Sequence, residues 1–222
     1  MIIDFHAHIL PGVDHGCADT GTALRQLSLA SDAGVGVVCA TSHFYPHADT
    51  VKSYLERRSN GWAGIQDRLP ENSPQVILGA ETLVCVGMEH MEGLQRLMFG
   101  DGIILLEMPP SSWTSTLIET VEAIFKDICQ GRMVLAHVDR YPPDDIERLM
   151  DYGIPGQLNA ASLLSPLRRR RYMKWIDSGK IAALGSDIHG ADKSYATLSK
   201  TVAFLGSRAE SIMHSSAELL GI

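Results

Sequence analysis

The stretch Met1-Ile2-Ile3-Asp4-Phe5-His6-Ala7-His8 opens the chain with a short apolar run that ends in two histidines. Six further apolar runs follow the same plan, each ending at polar residues and leading into a stretch with helical spacing. The runs, with the residues that end them, are 1–5 with His6 and His8, 35–40 with His43, 76–80 with Glu81, 103–106 with Glu107, 133–136 with His137, 156–158 with Asn159, and 181–184 with Ser186, Asp187 and His189. Short runs rich in Val and Ile and bounded by Gly or Pro predict buried parallel strands.

Seven strand–helix units in 222 residues predict an α/β fold, either an open doubly wound sheet or a closed barrel. In an open sheet the ligand site forms at one switch point, where two or three strand ends meet. In a barrel every strand end faces the same mouth. Metal-capable polar residues end six of the seven runs, so we predict a TIM-barrel-like (β/α)7 barrel.

The composition describes an acidic protein, with 19 basic and 26 acidic residues and a net charge of −7. This charge argues against a nucleic-acid partner, because phosphate binding needs a basic face. No apolar run approaches the roughly 18 residues that a membrane helix needs, and no secretory signal is evident. The four cysteines form no C-x-x-C pair and predict buried free thiols in a reducing cytosol. We therefore expect a cytoplasmic protein with a single domain over residues 1–222.

Histidine and carboxylate residues at the strand ends predict a metal site. His6 and His8 lie two apart on a strand, so both rings face the same side. Imidazole and carboxylate without thiolate suit Mn²⁺, Fe or Zn²⁺. One ion needs fewer ligands than the sequence offers, so two or three bridged ions are expected. The alternative, a buried hydrogen-bond network without a cation, would be costly. The candidates are His6, His8, His43, Glu81, Glu107, His137, Asp187 and His189, with His15 in the first loop.

Two groups of basic residues have further interpretations. Arg140 follows His137 closely and can hold a phosphate bidentately, or it can form a surface ion pair with Asp139 or Asp144. The basic run 168–171 is either the solvated face of a helix or a docking site for an acidic or phosphorylated partner.

Seven motifs occur along the chain in an order typical of one family. Through them, and over nearly its whole length, the chain resembles the PHP (polymerase and histidinol phosphatase) superfamily. Within that superfamily it is most similar to bacterial manganese-dependent protein-tyrosine phosphatases of capsule and exopolysaccharide operons. The motifs are Asp4-Phe5-His6-Ala7-His8-Ile9-Leu10-Pro11-Gly12-Val13-Asp14, Thr41-Ser42-His43, Gly79-Ala80-Glu81, Leu106-Glu107, Ala136-His137-Val138-Asp139-Arg140-Tyr141, Gln157-Leu158-Asn159 and Ser186-Asp187-Ile188-His189.

The resemblance implies a distorted seven-stranded PHP barrel with a trinuclear metal centre, Mn²⁺ being the expected ion. It also implies hydrolysis of phosphotyrosine on a bacterial tyrosine kinase that controls polysaccharide export, with Arg140 contacting the phosphate. By family position the ligands are His6, His8, His15, His43, Glu81, Glu107, His137, Asp187 and His189.

This chain departs from the family pattern in two places. The family has Asp-Asp-Gly in the first loop, where this chain has Asp14-His15-Gly16, so His15 takes the place of an acidic ligand. Asp14 remains available as a ligand or a proton donor. Lys193 stands near the position of a second phosphate-binding arginine.

The expected reaction is metal-dependent phosphoester hydrolysis, with a metal-bridging hydroxide as the nucleophile. Three alternatives remain open at this stage. One is a small-molecule phosphatase with a substrate such as histidinol phosphate. Another is an amidohydrolase, a class that commonly has a bridging lysine where this chain has Glu107. The last is a catalytically idle regulatory domain that only binds its partner.

Overall fold

The computed structural model describes residues 1–110, 112–190 and 194–222. Helices and strands alternate through these ranges. The strands are β1 (Ile2–His8), β2 (Val35–Ala40), β3 (His43–Phe44), β4 (Gln75–Leu78), β5 (Glu81–Leu83), β6 (Ile104–Glu107), β7 (Met133–Leu135), β8 (Gly156–Asn159), β9 (Ile181–Gly185) and β10 (Ile188–His189). The helices are α1 (Thr20–Asp32), α2 (Val51–Ala63), α3 (Ser115–Ala123), α4 (Pro143–Asp151), α5 (Ala160–Leu164), α6 (Pro166–Asp177), α7 (Ser194–Leu205) and α8 (Ser207–Leu220).

The strands form two parallel sheets, which confirms the predicted α/β class. One sheet has the order β10-β1-β2-β4, and the other has the order β3-β5-β6-β7-β8-β9. Each of the seven apolar runs contains a strand, and most of their residues are buried, although most of the run 76–80 is only half-buried. Helices cover the strands on the outside, as the parallel arrangement requires. Among the described helices, none is long and apolar enough to cross a membrane.

The predicted closed barrel is not observed: the described strands form separate sheets of four and six strands. Three strands are interrupted near their carboxyl ends, between β2 and β3, between β4 and β5, and between β9 and β10. At the last break, Asp187 adopts a left-handed backbone with φ 52°. At the first two breaks, the buried Tyr54 hydroxyl donates to the carbonyls of Ser42 and Gly79, at 2.8 and 3.0 Å. Backbone groups at the breaks therefore bond to side chains, and the strand ends turn toward a common centre.

The cysteines are free, as predicted, but they are not all buried. Cys17, Cys39 and Cys129 lie in the core, whereas Cys85 is exposed. Burial raises the pKa of the Cys129 thiol to about 12. These core thiols therefore behave as small apolar side chains.

Candidate metal centre

The carboxylate of Glu81, fully buried at the start of β5, is surrounded by four imidazoles. Its Oε2 atom lies 3.0 Å from His6 Nε2 and 3.2 Å from His8 Nε2. The same oxygen lies 3.0 Å from His43 Nδ1, and Oε1 lies 2.7 Å from His137 Nε2. The end of β1, the starts of β3 and β5, and the segment after β7 thus place their side chains at one point.

Two further carboxylates flank Glu81 on opposite sides. Glu107, at the end of β6, lies 3.7 Å from His43 Nδ1 and 3.5 Å from His137 Nε2. Asp187 Oδ1 lies 3.5 Å from His8 Nε2 and 3.6 Å from His189 Nδ1. Donor atoms converge within 4.8 Å of one another in three overlapping groups, which are His8, His43 and His189, then His6, His8 and Asp187, then His43, Glu81 and Glu107.

The outward nitrogen of most of these rings is held by a specific partner. Such a bond fixes the ring orientation and directs the other nitrogen toward the centre. The partners are Gln157 Oε1 at 3.0 Å from His6 Nδ1, Asp14 Oδ2 at 2.7 Å from His8 Nδ1, Tyr141 Oη at 3.1 Å from His137 Nδ1, and the Asp187 carbonyl oxygen at 3.0 Å from His189 Nδ1. This is the pattern that metal-ligating histidines show in proteins.

Several inward-facing atoms are short of hydrogen-bond partners. His43 Nδ1 and Glu81 Oε2 are buried and form no hydrogen bond of acceptable geometry, although they lie 3.0 Å apart. His6 Nε2 and His8 Nε2 face each other at 3.1 Å. When both outer nitrogens carry a proton, these two inner nitrogens are both acceptors. A divalent cation would satisfy all of these atoms, so the residues present fit a metal centre.

The charged groups of the cluster have shifted pKa values. Burial alone lowers the pKa of His137, but hydrogen bonds with Glu107 and Glu81 raise it to about 9. Burial opposes charge on His8 as well, yet the nearby carboxylates of Asp14, Asp187 and Glu81 raise its pKa well above the usual range. Burial alone raises the pKa of the Glu81 carboxyl, whereas the surrounding histidines lower it overall. In the absence of metal, the cluster is a set of mutually neutralising charges.

Asp14 is a positioning residue for two candidate ligands. Its carboxylate accepts from His8 Nδ1 at 2.7 Å and from the backbone nitrogens of His43 and Gly16, at 2.8 and 2.9 Å. Burial raises its pKa, but these bonds, His8 first, lower the pKa overall. An ionised carboxylate with its oxygens engaged holds no proton to give, so this geometry favours orientation of His8 over proton donation. Gly16 is required here, since a Cβ would lie 2.1 Å from His8 Cβ.

His15 and His189 lie at the rim of the cluster. The exposed His15 ring stacks on His43 and His189, with ring centroids 5.0 and 4.8 Å apart. His15 belongs to none of the three converging donor groups, whereas His189 belongs to one of them. The imidazole of His15, which replaces the usual acidic residue, therefore lies near the centre but farther out than His8.

Arg140 lies at the mouth, half exposed, and pairs with Asp187. The ion pairs with Asp139 or Asp144 considered from the sequence do not form. Asp139 instead accepts from the Asn159 backbone nitrogen at 3.0 Å and from the Ser162 hydroxyl at 2.5 Å. Asn159 Nδ2 also donates to Asp187 at 3.0 Å. The predicted substrate-binding Lys193 lies outside the described residues.

Backbone strain coincides with the candidate ligands. Among the described residues other than glycine, a positive φ occurs only at Gln130, His137 and Asp187. Such conformations cost on the order of 1–3 kcal/mol each and persist only where the surrounding structure over-determines them.

Residues 2–217 match the sequence model of the family described as "Capsular polysaccharide synthesis, CpsB/CapC". The chain belongs to the CpsB/CapC family. No curated protein matches its sequence significantly.

Solved structures resemble this CpsB/CapC chain in fold. One match comes from the crystal structures of YwqE from Bacillus subtilis and CpsB from Streptococcus pneumoniae, which are described as unique metal-dependent tyrosine phosphatases. Its TM-score is 0.75 at 21% sequence identity, and the alignment covers 99% of this chain and 94% of the matched chain. The TatD-like protein from Archaeoglobus fulgidus matches with a TM-score of 0.54 and 13% identity over 99% and 100%. Beta-aspartyl dipeptidase from Fervidobacterium islandicum matches with a TM-score of 0.52 and 12% identity over 100% and 75%. At these identities the likeness establishes the fold alone.

The sequence reasoning gave no role to several residues that support the CpsB/CapC centre. Asp4 is buried in β1 and accepts from Ser186 N and Oγ at 2.7 and 2.6 Å, which ties β1 to the chain after β9. Burial raises the pKa of Asp4 to about 6. Gln157 also accepts from the His137 backbone nitrogen at 2.7 Å. The sequence does contain one sign of these supporting roles. A polar residue inside a buried apolar run costs free energy unless it forms hydrogen bonds, so such a residue is expected to have a partner.

A cleft of about 330 Å³ opens beside the CpsB/CapC centre. Glu107, His137 and Arg140 line its inner end, where it meets the cluster. Trp113 and Tyr141 form one wall, with ring centroids 5.3 Å apart in an edge-to-face arrangement. The other lining residues include Pro109, Pro110 and Pro142. The cleft thus combines the polar groups of its inner end with aromatic and proline side chains, and Ser112 and Asp145 also line it.

Proposed function

We propose that this protein is a metal-dependent phosphoester hydrolase, namely a protein-tyrosine phosphatase that acts on a bacterial tyrosine kinase of capsular or exopolysaccharide synthesis. One observation carries the proposal: four imidazoles and two further carboxylates converge around Glu81, with Arg140 at the same mouth. Membership of the capsule-synthesis family and the fold shared with metal-dependent tyrosine phosphatases support it. A cytoplasmic location, where such a kinase domain would be reached, belongs to the same proposal.

The cluster would hold two or three divalent ions. Their proposed ligands are His6, His8, His43, Glu81, Glu107, His137, Asp187 and His189, with His15 as a ninth candidate at the rim. A donor set of imidazole and carboxylate without thiolate suits Mn²⁺, and it also accepts Fe or Zn²⁺. When bound, such ions supply a hydroxide nucleophile near neutral pH and neutralise charge on phosphoryl oxygens.

Arg140 is the proposed phosphate-binding and catalytic residue of the chain itself. Its guanidinium can form two parallel hydrogen bonds to a phosphoryl group, and its half-exposed position allows a substrate to reach it. Its pairing with Asp187 keeps it directed at the cluster before a substrate arrives. Asp14 orients His8, and Lys193 stays a proposed second phosphate contact.

The cleft beside the centre favours an aryl phosphate over a small polar phosphoester. A phenol ring that enters between Trp113 and the prolines would direct its phosphate at the Glu107, His137 and Arg140 end. Aromatic pairs contribute about 0.5–1.5 kcal/mol beyond simple burial. Histidinol phosphate, the small-molecule alternative, carries its phosphate on an alkyl chain with an ammonium group, whereas the phosphate of phosphotyrosine is attached directly to an aromatic ring. The amidohydrolase alternative lacks support at Glu107, where that class has lysine.

We also propose that the two sheets together form one distorted seven-stranded barrel. The support is chain continuity, because β4 leads into β5 of the second sheet and β9 leads into β10, which pairs with β1. On this view, β2–β3, β4–β5 and β9–β10 are three interrupted strands, and the interruptions lie at the level of the ligands.

We expect the purified protein with added Mn²⁺ to hydrolyse p-nitrophenyl phosphate and phosphotyrosine peptides, and a chelator to abolish both activities. Arg140→Gln should lower kcat/KM by about a hundredfold, as loss of one preorganised donor to a developing charge does. Its metal content, measured by elemental analysis, should be unchanged. Arg132→Gln, which removes another half-exposed arginine away from the cleft, is the matched control. Activity that survives complete metal removal would overturn the proposal, and near-zero metal uptake would favour the idle-domain alternative.

Trp113→Ala should raise KM for phosphotyrosine about tenfold, because the phenol ring of the substrate loses its contact with the Trp113 side chain. Hydrolysis of an alkyl phosphate such as phosphoethanolamine should change less than about twofold, since it makes no such contact. Trp113→Phe should retain most of the affinity for phosphotyrosine. An equal loss on both classes of substrate would remove the cleft from substrate recognition.

A further inference from the structure

A groove of about 680 Å³ lies between α4 and α6, separate from the metal centre. We call it the α4–α6 groove. Its basic lining residues are Arg168, Arg170, Arg171, Lys174 and Lys180. The acidic residue among its lining is Glu147, whose Oε1 accepts from Trp175 Nε1 at 2.8 Å. In a chain with a net charge of −7, this is a local reversal of charge.

Most of these cations lack a carboxylate partner. Within the part of the chain that the structure describes, only Lys180 of the five forms an ion pair, with Asp151 at 2.6 Å. Arg168, Arg170, Arg171 and Lys174 are all exposed. Like charges three and four residues apart on a helix destabilise it, as Arg170 and Arg171 do with Lys174. The neighbouring Arg169 faces elsewhere, donating to the carbonyls of Leu163 and Leu164 at 2.9 Å.

Helix α6, which supplies most of the groove lining, is bonded to the mouth of the metal centre through Tyr172. This buried residue of α6 donates its hydroxyl to the Asp139 carbonyl at 3.4 Å, next to Arg140. On its other side, α4 begins at the cleft, which Pro142 and Asp145 line. A chain that occupies the groove is therefore held beside the proposed phosphate-binding turn.

We propose that the α4–α6 groove binds an acidic polypeptide segment of the phosphorylated substrate protein. This inference rests on the proposed function for the identity of the partner. The occupant is a stretch rich in Asp, Glu or phosphorylated side chains, which matches the unpaired cations in sign. Docking there raises the local concentration of the phosphotyrosine at the centre without adding a contact to it.

Two other anionic surfaces fit the groove less well. A membrane surface is flat, whereas these cations line a concavity between two helices. The exposed Leu167, at 94%, is a single apolar side chain and not an apolar face. Single-stranded nucleic acid binds on exposed aromatic platforms, but Trp175 in the groove is buried. A polypeptide segment can enter a concave groove and needs no exposed aromatic side chain to bind there.

The test measures fluorescence anisotropy of a fluorescein-labelled Glu-rich peptide that carries no phosphate. We expect Arg170→Glu, Arg171→Glu and Lys174→Glu together to raise Kd at least about tenfold at low salt, since close charge pairs at an interface are lost. The matched control is Lys52→Glu, Arg68→Glu and Arg96→Glu, which changes the net charge by the same amount at exposed positions elsewhere. The control should change Kd by less than about threefold, through long-range charge alone.

A kinetic measurement on the same variants separates docking from catalysis. The groove variant should lose kcat/KM on a Glu-rich phosphotyrosine peptide and keep wild-type turnover of p-nitrophenyl phosphate. Equal loss of peptide binding in the groove and control variants would overturn the inference. Groove-dependent binding of anionic vesicles or of oligo-dT in place of the peptide would also overturn it. If the wild type hydrolysed no phosphomonoester, the proposed function would fail, whereas the anisotropy would still report on the groove.

Discussion

Glu81→Gln abolishes stoichiometric divalent-metal binding and lowers phosphatase activity by more than about a thousandfold; this is the largest effect of a single substitution that we expect. The substitution keeps the shape of the side chain and removes its charge. The Glu81 oxygens lie within 3.2 Å of four imidazole nitrogens, which come from β1, from β3 and from the segment after β7, so no neighbouring group can replace the carboxylate. The amide would also place N–H donors where the cluster requires acceptors.

The measurements for Glu81→Gln are metal content by elemental analysis and turnover of p-nitrophenyl phosphate at saturating Mn²⁺. Circular dichroism checks that the fold is retained. Glu218→Gln serves as the matched control, because Glu218 is an exposed residue of α8 that contacts only His214 among the described side chains. A Glu81→Gln protein with full metal content and near-normal turnover would show that Glu81 is not a central ligand.

The second large effect is a dependence of metal stabilisation on pH. In the metal-free protein, His137 has its pKa raised to about 9 by Glu107 and Glu81, against burial that lowers it, whereas unfolded histidine titrates near 6.5. A raised histidine pKa contributes stability that is fully present below the unfolded value and is lost as pH rises through the folded value. His8 contributes in the same direction. The metal-free protein should therefore lose stability between pH 6.5 and about 9.

Metal binding has the opposite pH dependence, because its imidazole ligands must be deprotonated. The rise in Tm that saturating Mn²⁺ causes should consequently grow as the pH increases. The His137 shift alone corresponds to roughly 3 kcal/mol, or on the order of 5–10 °C in Tm for a chain of this size. His189, whose pKa is lowered by burial first and then by His8, does not share this upward shift.

Differential scanning fluorimetry with and without chelator at several pH values tests the linkage. His214→Gln, which removes an exposed histidine, should leave the pH profile unchanged. His137→Gln should flatten the metal-free profile. A metal-free Tm that stayed constant or rose between pH 6.5 and 9 would contradict the assignment of these raised pKa values.

The sequence predicted the strands and the set of clustered residues because both depend on short-range patterns. A run such as 133–136 with His137 after it shows both its apolar character and its polar end without any knowledge of the partner strand. Parallel pairing then brings such ends together. The candidate ligands at the strand ends meet for this reason, although they are far apart in the chain.

The interruptions of the strands and the supporting residues could not be read in the same way. The break at Asp187 depends on a left-handed backbone conformation that residues other than glycine rarely adopt. The residue type at this position therefore does not predict the break. Gln157 and Tyr141 support ligands on other segments, at contacts that a linear pattern does not contain. The role of Asp14 was ambiguous for the same reason. An aspartate can serve as a metal ligand, a proton donor or a positioning residue, and only its contacts in the fold distinguish these roles.

The pairing of the first strand with the last also governs when the centre can exist during synthesis. Asp4 in β1 is bonded to Ser186, 182 residues away, and β1 pairs with β10. The nascent chain therefore presents His6 and His8 long before Asp187 and His189 have been synthesised. Contacts of such sequence separation form late in folding, because closing the intervening loop must come first. A complete ligand set, and with it tight metal capture, thus requires that synthesis has passed His189.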